Sequence, residues 1–192
     1  MKHAALFLDR DGTINYDPGY IKDPKLVKLY PGVAESISEL KEFFGFLMIV
    51  ISNQSGIARG LMTHQDVRAV NKRINELLAE KKTSIDEFYY CPYHSDFDDE
   101  EKCSCRKPSP KLVFEASEKH NIDLKRSYFI GDKISDVECG INAGLKTILL
   151  KNTIQDSEII HLKNEGKTPN FVAGNFTDAC EYIKKDFMEV SA

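Results

Sequence analysis

Short, wholly apolar runs alternate along this chain with longer stretches whose apolar residues recur every three or four positions. Residues 4–8, Ala-Ala-Leu-Phe-Leu, form the first run and predict a buried strand. They end abruptly in Asp9-Arg10-Asp11-Gly12-Thr13. Val33, Ile37, Leu40 and Phe44 then keep helical spacing, and Pro31 suits the first turn of that helix. Residues 46–51, Phe-Leu-Met-Ile-Val-Ile, are the clearest buried strand. Thr63 is a good N-cap for a helix over about 64–81, with Val67, Val70, Ile74, Leu77 and Leu78 on one face. Further strands are predicted at 86–90, 127–130, 146–150 and near 171–172. Further helices are predicted from Ser109-Pro110 to His120, over 135–143, near 155–165 and over 177–187. The acidic run Asp96 to Glu101 reads as a solvated loop. Strands alternating with helices imply a doubly wound α/β fold, its mainly parallel sheet covered by helices on both faces. Residues 1–192 read as a single domain, and no insertion is large enough for a separate cap.

The chemistry sits at strand ends. In an open α/β sheet, ligands bind just beyond the carboxyl ends of the strands. Asp9 and Asp11, two apart, share a face if the extended geometry continues. Two close carboxylates repel unless a cation lies between them. Mg2+ suits oxygen ligands and keeps waters for a phosphate to replace. Taken alone, Asp-x-Asp is equally an ordinary polar turn. Yet Ser52 and Asn53 follow the second strand, Lys107 precedes a helix, and Asp132, with Asp136 close behind, follows the fourth strand. A nucleophilic carboxylate, a second carboxylate as acid and base, and an ammonium with hydroxyl donors are the parts phosphoryl transfer needs.

Composition narrows the classes. The 192 residues are 42% hydrophobic and 29% charged, with a formal net charge of -4, which describes an ordinary globular protein. An acidic balance disfavours nucleic-acid and membrane-surface partners. No apolar stretch approaches a membrane span and no signal-like N-terminus appears, so a cytoplasmic protein is expected, with monomer as the simplest state. Of five cysteines, Cys91, Cys103 and Cys105 cluster near His94. In a reducing compartment that set suits structural zinc, holding the 91–105 loop and placing Arg106 and Lys107. The alternative is reduced thiols without metal. Cys139 and Cys180 read as small core residues.

The combination Asp9-x-Asp11-Gly12-Thr13, Ser52, Lys107 and Gly131-Asp132-x-x-x-Asp136 resembles the four motifs of haloacid-dehalogenase (HAD) superfamily phosphatases. Asn53-Gln-Ser-Gly-Ile-Ala-Arg-Gly60, Cys105-Arg-Lys-Pro108 and Gly131-Asp-Lys133 extend the resemblance to the heptose-bisphosphate and histidinol-phosphate phosphatase family over about residues 4–150. The resemblance implies a HAD-like Rossmannoid fold and Mg2+-dependent hydrolysis through an aspartyl-phosphate. The substrate implied is a phosphorylated sugar, heptose 1,7-bisphosphate used in making nucleotide-activated heptose, with histidinol phosphate as the alternative. It makes Asp9 the nucleophile, Asp11 the acid/base, and Ser52 and Lys107 the phosphoryl-binding groups. Mg2+ would be held by Asp9, the Asp11 carbonyl and Asp132. Candidate substrate contacts are Asp17, Gly19 and Tyr20 in the 16–21 loop, Asn53, Gln54 and Ser55, and Arg106 and Lys133. Asp136 would orient Lys107 or a metal-bound water. Zinc would be held by Cys91, His94, Cys103 and Cys105. The family histidine falls two residues after the first cysteine, where this chain has Tyr93, so His94 would have to serve or the zinc would keep a water. A non-catalytic, zinc-stabilised phosphate-binding module is the reading from another class.

Overall fold

The computed structural model describes residues 2–151 and 154–191. The first strand, β1 (Ala5–Leu8), leads through a loop and a 3-10 turn to α1 (Val33–Phe44) and β2 (Leu47–Asn53). Next come α2 (His64–Ala79), β3 (Glu87–Cys91), the one-turn α3 (Glu100–Cys103) and α4 (Lys111–His120). The second half runs β4 (Tyr128–Gly131), α5 (Ile134–Ala143), β5 (Lys146–Leu150), α6 (Asp156–Asn164), β6 (Phe171–Ala173) and α7 (Phe176–Ser191).

All six strands pair in parallel, in the order β3-β2-β1-β4-β5-β6. After β1 the chain winds outward through β2 and β3. It then returns to place β4 on the other side of β1. The order therefore reverses between β1 and β4, and that switch point is where an open α/β sheet forms its crevice.

The period-two alternation of a strand explains why both faces are apolar. Leu6, Leu8, Met48, Val50 and Ile130 point to one face, where Val33, Ile37 and Leu40 of α1, Val70 and Ile74 of α2, and Ile183 of α7 cover them. Phe7, Ile49, Ile51 and Phe129 point to the other, under Val113 and Ala116 of α4 and Cys139 and Ala143 of α5. Each fully buried side chain of this size contributes on the order of 1.5–3 kcal/mol. Cys139 and Cys180 are buried, as small core residues should be.

The expected elements are present, with informative differences. β2 and β3 run on to Asn53 and Cys91, because parallel pairing continues through Ser52↔Tyr90 and Asn53↔Cys91. Site residues Ser52 and Asn53 are thus held in the sheet itself. The acidic run expected to be loop contains α3, which Asp99 caps by accepting from the Lys102 N–H. One polar turn carries no apolar period, so no pattern announced it. Thr63 caps α2 as expected: Asp66 N donates to Thr63 Oγ1 and Thr63 N to Asp66 Oδ2. Among the described residues no segment forms a separate cap, and no helix is long and apolar enough to cross a membrane.

Candidate active site

The switch point gathers the acids. Asp9 leaves the end of β1 with its N–H bonded to the Ile130 carbonyl of β4, 2.9 Å away. Asp132 follows β4, and Asp136 lies in the first turn of α5, where its Oδ2 accepts from Lys133 N at 3.0 Å. Oxygens of Asp9, Asp132 and Asp136 all lie within 4.8 Å of one another, and each residue is buried. Two glycines make room for them. At Gly12 (φ +90°) a Cβ would fall 2.3 Å from Asp132 Oδ2, and at Gly131 one would fall 2.4 Å from Asp136 Oδ2.

Lys107 crosses this cluster from the start of α4. Its Nζ donates to Asp9 Oδ1 at 2.7 Å and to the Ile51 carbonyl at 2.8 Å, and sits 2.7 Å from Asp136 Oδ1. Asn53 fixes the backbone behind it: its Oδ1 accepts from Lys107 N at 3.0 Å and its Nδ2 donates to Lys107 O at 3.2 Å. Burial alone would lower the lysine's pKa, but Asp136 and Asp9 outweigh it and hold the ammonium above the usual lysine range. Burial pushes Asp9 up; Lys107 opposes this, while Asp136 and Asp132 reinforce it. Three buried carboxylates facing one ammonium leave a net charge of about -2 when ionised, which burial makes costly. The all-oxygen donor set fits Mg2+.

Asp11 is turned into a different set of partners. Arg10 Nη2 donates to its Oδ2 at 2.7 Å, Gln54 Nε2 to the same oxygen at 2.9 Å, and Asn15 Nδ2 to Oδ1 at 2.9 Å. Burial would raise this carboxyl, yet the Arg10 charge and these hydrogen bonds hold it below the usual carboxylate range. Ser52 is 3% exposed, and its Oγ accepts from Gln54 Nε2 at 2.5 Å.

A cavity of about 260 Å3 opens from these groups and is lined by Asp9, Asp11, Ser52 and Lys107. Asp17, Gly19, Tyr20, Asn53, Gln54, Ser55, Arg106 and Lys133 line it as well, so the sequence candidates are brought together here. Their exposures differ. Gln54 is buried within the hydrogen-bond network, whereas Lys133 and Tyr20 are half-exposed at the mouth. Burial opposes the Lys133 charge, but Asp9, Asp132 and Asp136 keep its ammonium above the usual range. Asp17 accepts from Gly19 N at 2.8 Å and shapes the entrance loop. Sequence reasoning missed Arg10 and Asn71. The signal for Arg10 was a charged residue at the inward-facing end of a buried strand; Asn71 left none.

The expected zinc set is not assembled. Cys91 and Cys105 are joined in a disulfide, with Cα atoms 5.4 Å apart, and Cys103 is free. His94 faces elsewhere, its Nε2 3.2 Å from Arg59 Nη2 and its Nδ1 accepting from Asp96 N at 3.2 Å. Zinc needs thiolates, and two of the three sulfurs here are bonded to each other, so the donors as they stand do not fit the ion. Sequence spacing brought the sulfurs together correctly but did not decide whether they meet a metal or one another.

Fold and site together are those of a phosphohydrolase of the HAD class. A HAD-hydrolase-like family model matches residues 104–179. A Chlorobaculum tepidum protein named D-glycero-D-manno-heptose-1,7-bisphosphate 7-phosphatase is 48% identical over 156 residues, covering 77% of this chain and 78% of its own. The Escherichia coli K12 D-glycero-beta-D-manno-heptose-1,7-bisphosphate 7-phosphatase is 39% identical over 152 residues, 78% and 79% of the two chains. The crystal structure of D,D-heptose 1,7-bisphosphate phosphatase from B. bronchiseptica, complexed with magnesium and phosphate, superposes with a TM-score of 0.81 at 25% identity, covering 95% of this chain and 99% of its own. The chain belongs to the heptose-1,7-bisphosphate 7-phosphatase family and is a phosphoric monoester hydrolase.

Proposed function

We propose that this enzyme removes the 7-phosphate of D-glycero-D-manno-heptose 1,7-bisphosphate and leaves the anomeric phosphate in place. The observation that carries the chemistry is the buried cluster in which Lys107 lies 2.7 Å from both Asp9 Oδ1 and Asp136 Oδ1, beside Asp132. The names of the relatives supply the substrate.

Asp9 is the nucleophile. With Oδ1 held by Lys107, its other oxygen attacks phosphorus, and the bond to the sugar oxygen breaks as the aspartyl-phosphate forms. Asp11, ionised in the structure, gives that leaving oxygen a proton it takes up as the negative charge of the substrate approaches, and then takes a proton from the water that hydrolyses the acyl phosphate. Lys107 and the Ser52 hydroxyl hold the phosphoryl oxygens as charge builds. Asp9, Asp132 and the Asp11 carbonyl would hold Mg2+, which when bound offsets the negative cluster and lets a phosphate dianion approach. Asp136 orients Lys107. Arg106 and Lys133 supply positive charge for the phosphate that stays.

A substrate panel tests this reading. The heptose bisphosphate should turn over faster than histidinol phosphate, release one phosphate, and stop when a chelator is added. Faster release from histidinol phosphate would overturn the substrate. The binding-module alternative predicts no release from either. The zinc reading attaches to the reduced loop, where Cys91, Cys103 and Cys105 would be free thiolates. Protein purified under reductant should carry about one zinc per chain; metal analysis finding none would reject the site.

A further inference from the structure

Asp11, half-buried at the cavity wall, packs against a charged residue that takes no part in the chemistry above. Arg10 is 1% exposed, a guanidinium carried into the core at the end of β1. A buried charge of this kind persists only when its donors are satisfied. Its Nε lies 3.1 Å from both Asp11 oxygens and its Nη2 2.7 Å from Asp11 Oδ2. Two further donors are taken from behind: Nη1 donates to Asn71 Oδ1 on α2 at 3.0 Å, and Nη2 also to Gln54 Oε1 at 3.1 Å.

That last bond has a consequence for Gln54. Because Oε1 faces Arg10, the amide nitrogen must face the other way, where it donates to Asp11 Oδ2 and to Ser52 Oγ. A Ser52 oxygen that accepts from Gln54 directs its own proton away from the amide, toward the phosphoryl position. One chain of hydrogen bonds therefore runs from Asn71 through Arg10 and Gln54 to both Asp11 and Ser52.

We propose that Arg10, clamped by Asn71, and Gln54 are positioning residues that aim the Asp11 carboxyl at the leaving oxygen and couple that aim to the phosphoryl-binding hydroxyl of Ser52. The inference rests on reading Asp11 as the acid for the departing alcohol. Arg10 and Gln54 act through Asp11 and Ser52, and Asn71 acts through Arg10.

Leaving-group dependence separates positioning from structural support. p-Nitrophenolate departs without a proton, whereas a sugar alkoxide needs one, and kcat/KM reports events up to that departure. Asn71→Leu removes the acceptor behind Arg10 at similar volume. It should lower kcat/KM on heptose 1,7-bisphosphate about tenfold while lowering it less than threefold on p-nitrophenyl phosphate. Asn71→Asp, which keeps an acceptor, should restore most of the difference. Gln54→Glu keeps the acceptor for Arg10 but loses the donors to Asp11 and Ser52; because Ser52 holds the phosphoryl group of either substrate, it should lower kcat/KM on both, and several-fold more on the heptose bisphosphate, a difference readable even if Asn71→Leu folds poorly. Asp11→Asn is measured alongside. If Asp11→Asn is selective and both Asn71→Leu and Gln54→Glu lose equally on the two substrates, or lose nothing, the positioning proposal is overturned. If Asp11→Asn itself shows no selectivity, the acid assignment falls first.

Discussion

At the scale of single residues, the site depends on pairing charges that cannot be buried alone. On the proposed mechanism, replacing Asp9 with Asn removes the attacking oxygen, and phosphate release should drop by about a thousandfold or more, with the melting temperature showing the fold intact. Asp136→Asn acts differently. It leaves Lys107, 3% exposed, with one carboxylate partner in place of two. Breaking a buried pair costs on the order of 3–5 kcal/mol, and the surviving Asp9 contact puts this variant near the lower bound, readable by urea denaturation. Gly12→Ala should displace Asp132, since the new Cβ lies 2.3 Å from its Oδ2 at a φ of +90°. Its expected signature is a raised Mg2+ requirement; an unchanged requirement would count against Asp132 as a ligand. Asp9, Asp11, Ser52, Lys107 and Asp132 were legible because each stands at a strand or helix end in a recognisable run. Asn71 was not, because its partnership with Arg10 spans 61 positions and exists only through space.

At the scale of elements, helices and strands hold these residues by ordinary packing, and a few polar contacts fasten the layers. α7 is tied to the sheet where Asp186 Oδ2 accepts from Tyr128 Oη and meets Lys146 Nζ, each at 2.5 Å. Partial burial opposes the Asp186 charge, but Lys146 and Tyr128 hold its carboxyl below the usual range. A depressed carboxyl contributes stability above its unfolded value and loses it as pH falls through its folded value. Asp186→Asn should therefore cost about 1–2 kcal/mol near neutrality and almost nothing in strong acid, where the native group is protonated as well. Urea midpoints at pH 7 and in strong acid check this. Apolar periods announced most elements because a core face repeats every two or 3.6 residues. α3 escaped because its single turn buries no stripe, and the 91–105 loop because cysteine spacing is compatible with either a shared metal or a bridge.

At the scale of the whole molecule, the negative cluster at the switch point links stability to metal and to pH. A cation that binds only the folded state stabilises it by about 2.7 kcal/mol at a hundredfold excess over Kd. For a chain of this size that is a rise of roughly 5–10 °C in melting temperature, reversed by chelator. The sign with pH follows from Asp9, pushed up to about 7 by burial, against the pull of Lys107 and with the push of Asp136 and Asp132. Without metal, folded Asp9 keeps its proton to higher pH than an unfolded aspartate does, so this group costs stability as pH rises. Mg2+ must displace that proton. The metal-induced rise should be larger at pH 8 than at pH 6 in differential scanning calorimetry, and a pH-independent rise would place the cation elsewhere.

The amino-acid order by itself determined the kinds of element, their succession and which strand ends carry acids, because these follow from local periodicity and from turn and cap chemistry within a few residues. Only the tertiary structure decided the strand order that sets β4 beside β1, and with it the meeting of Lys107 with Asp9 across 98 positions and the bridging of Cys91 to Cys105. Such contacts arise from the winding of a parallel sheet, in which groups remote along the chain share one edge, and no local pattern records which of them will touch.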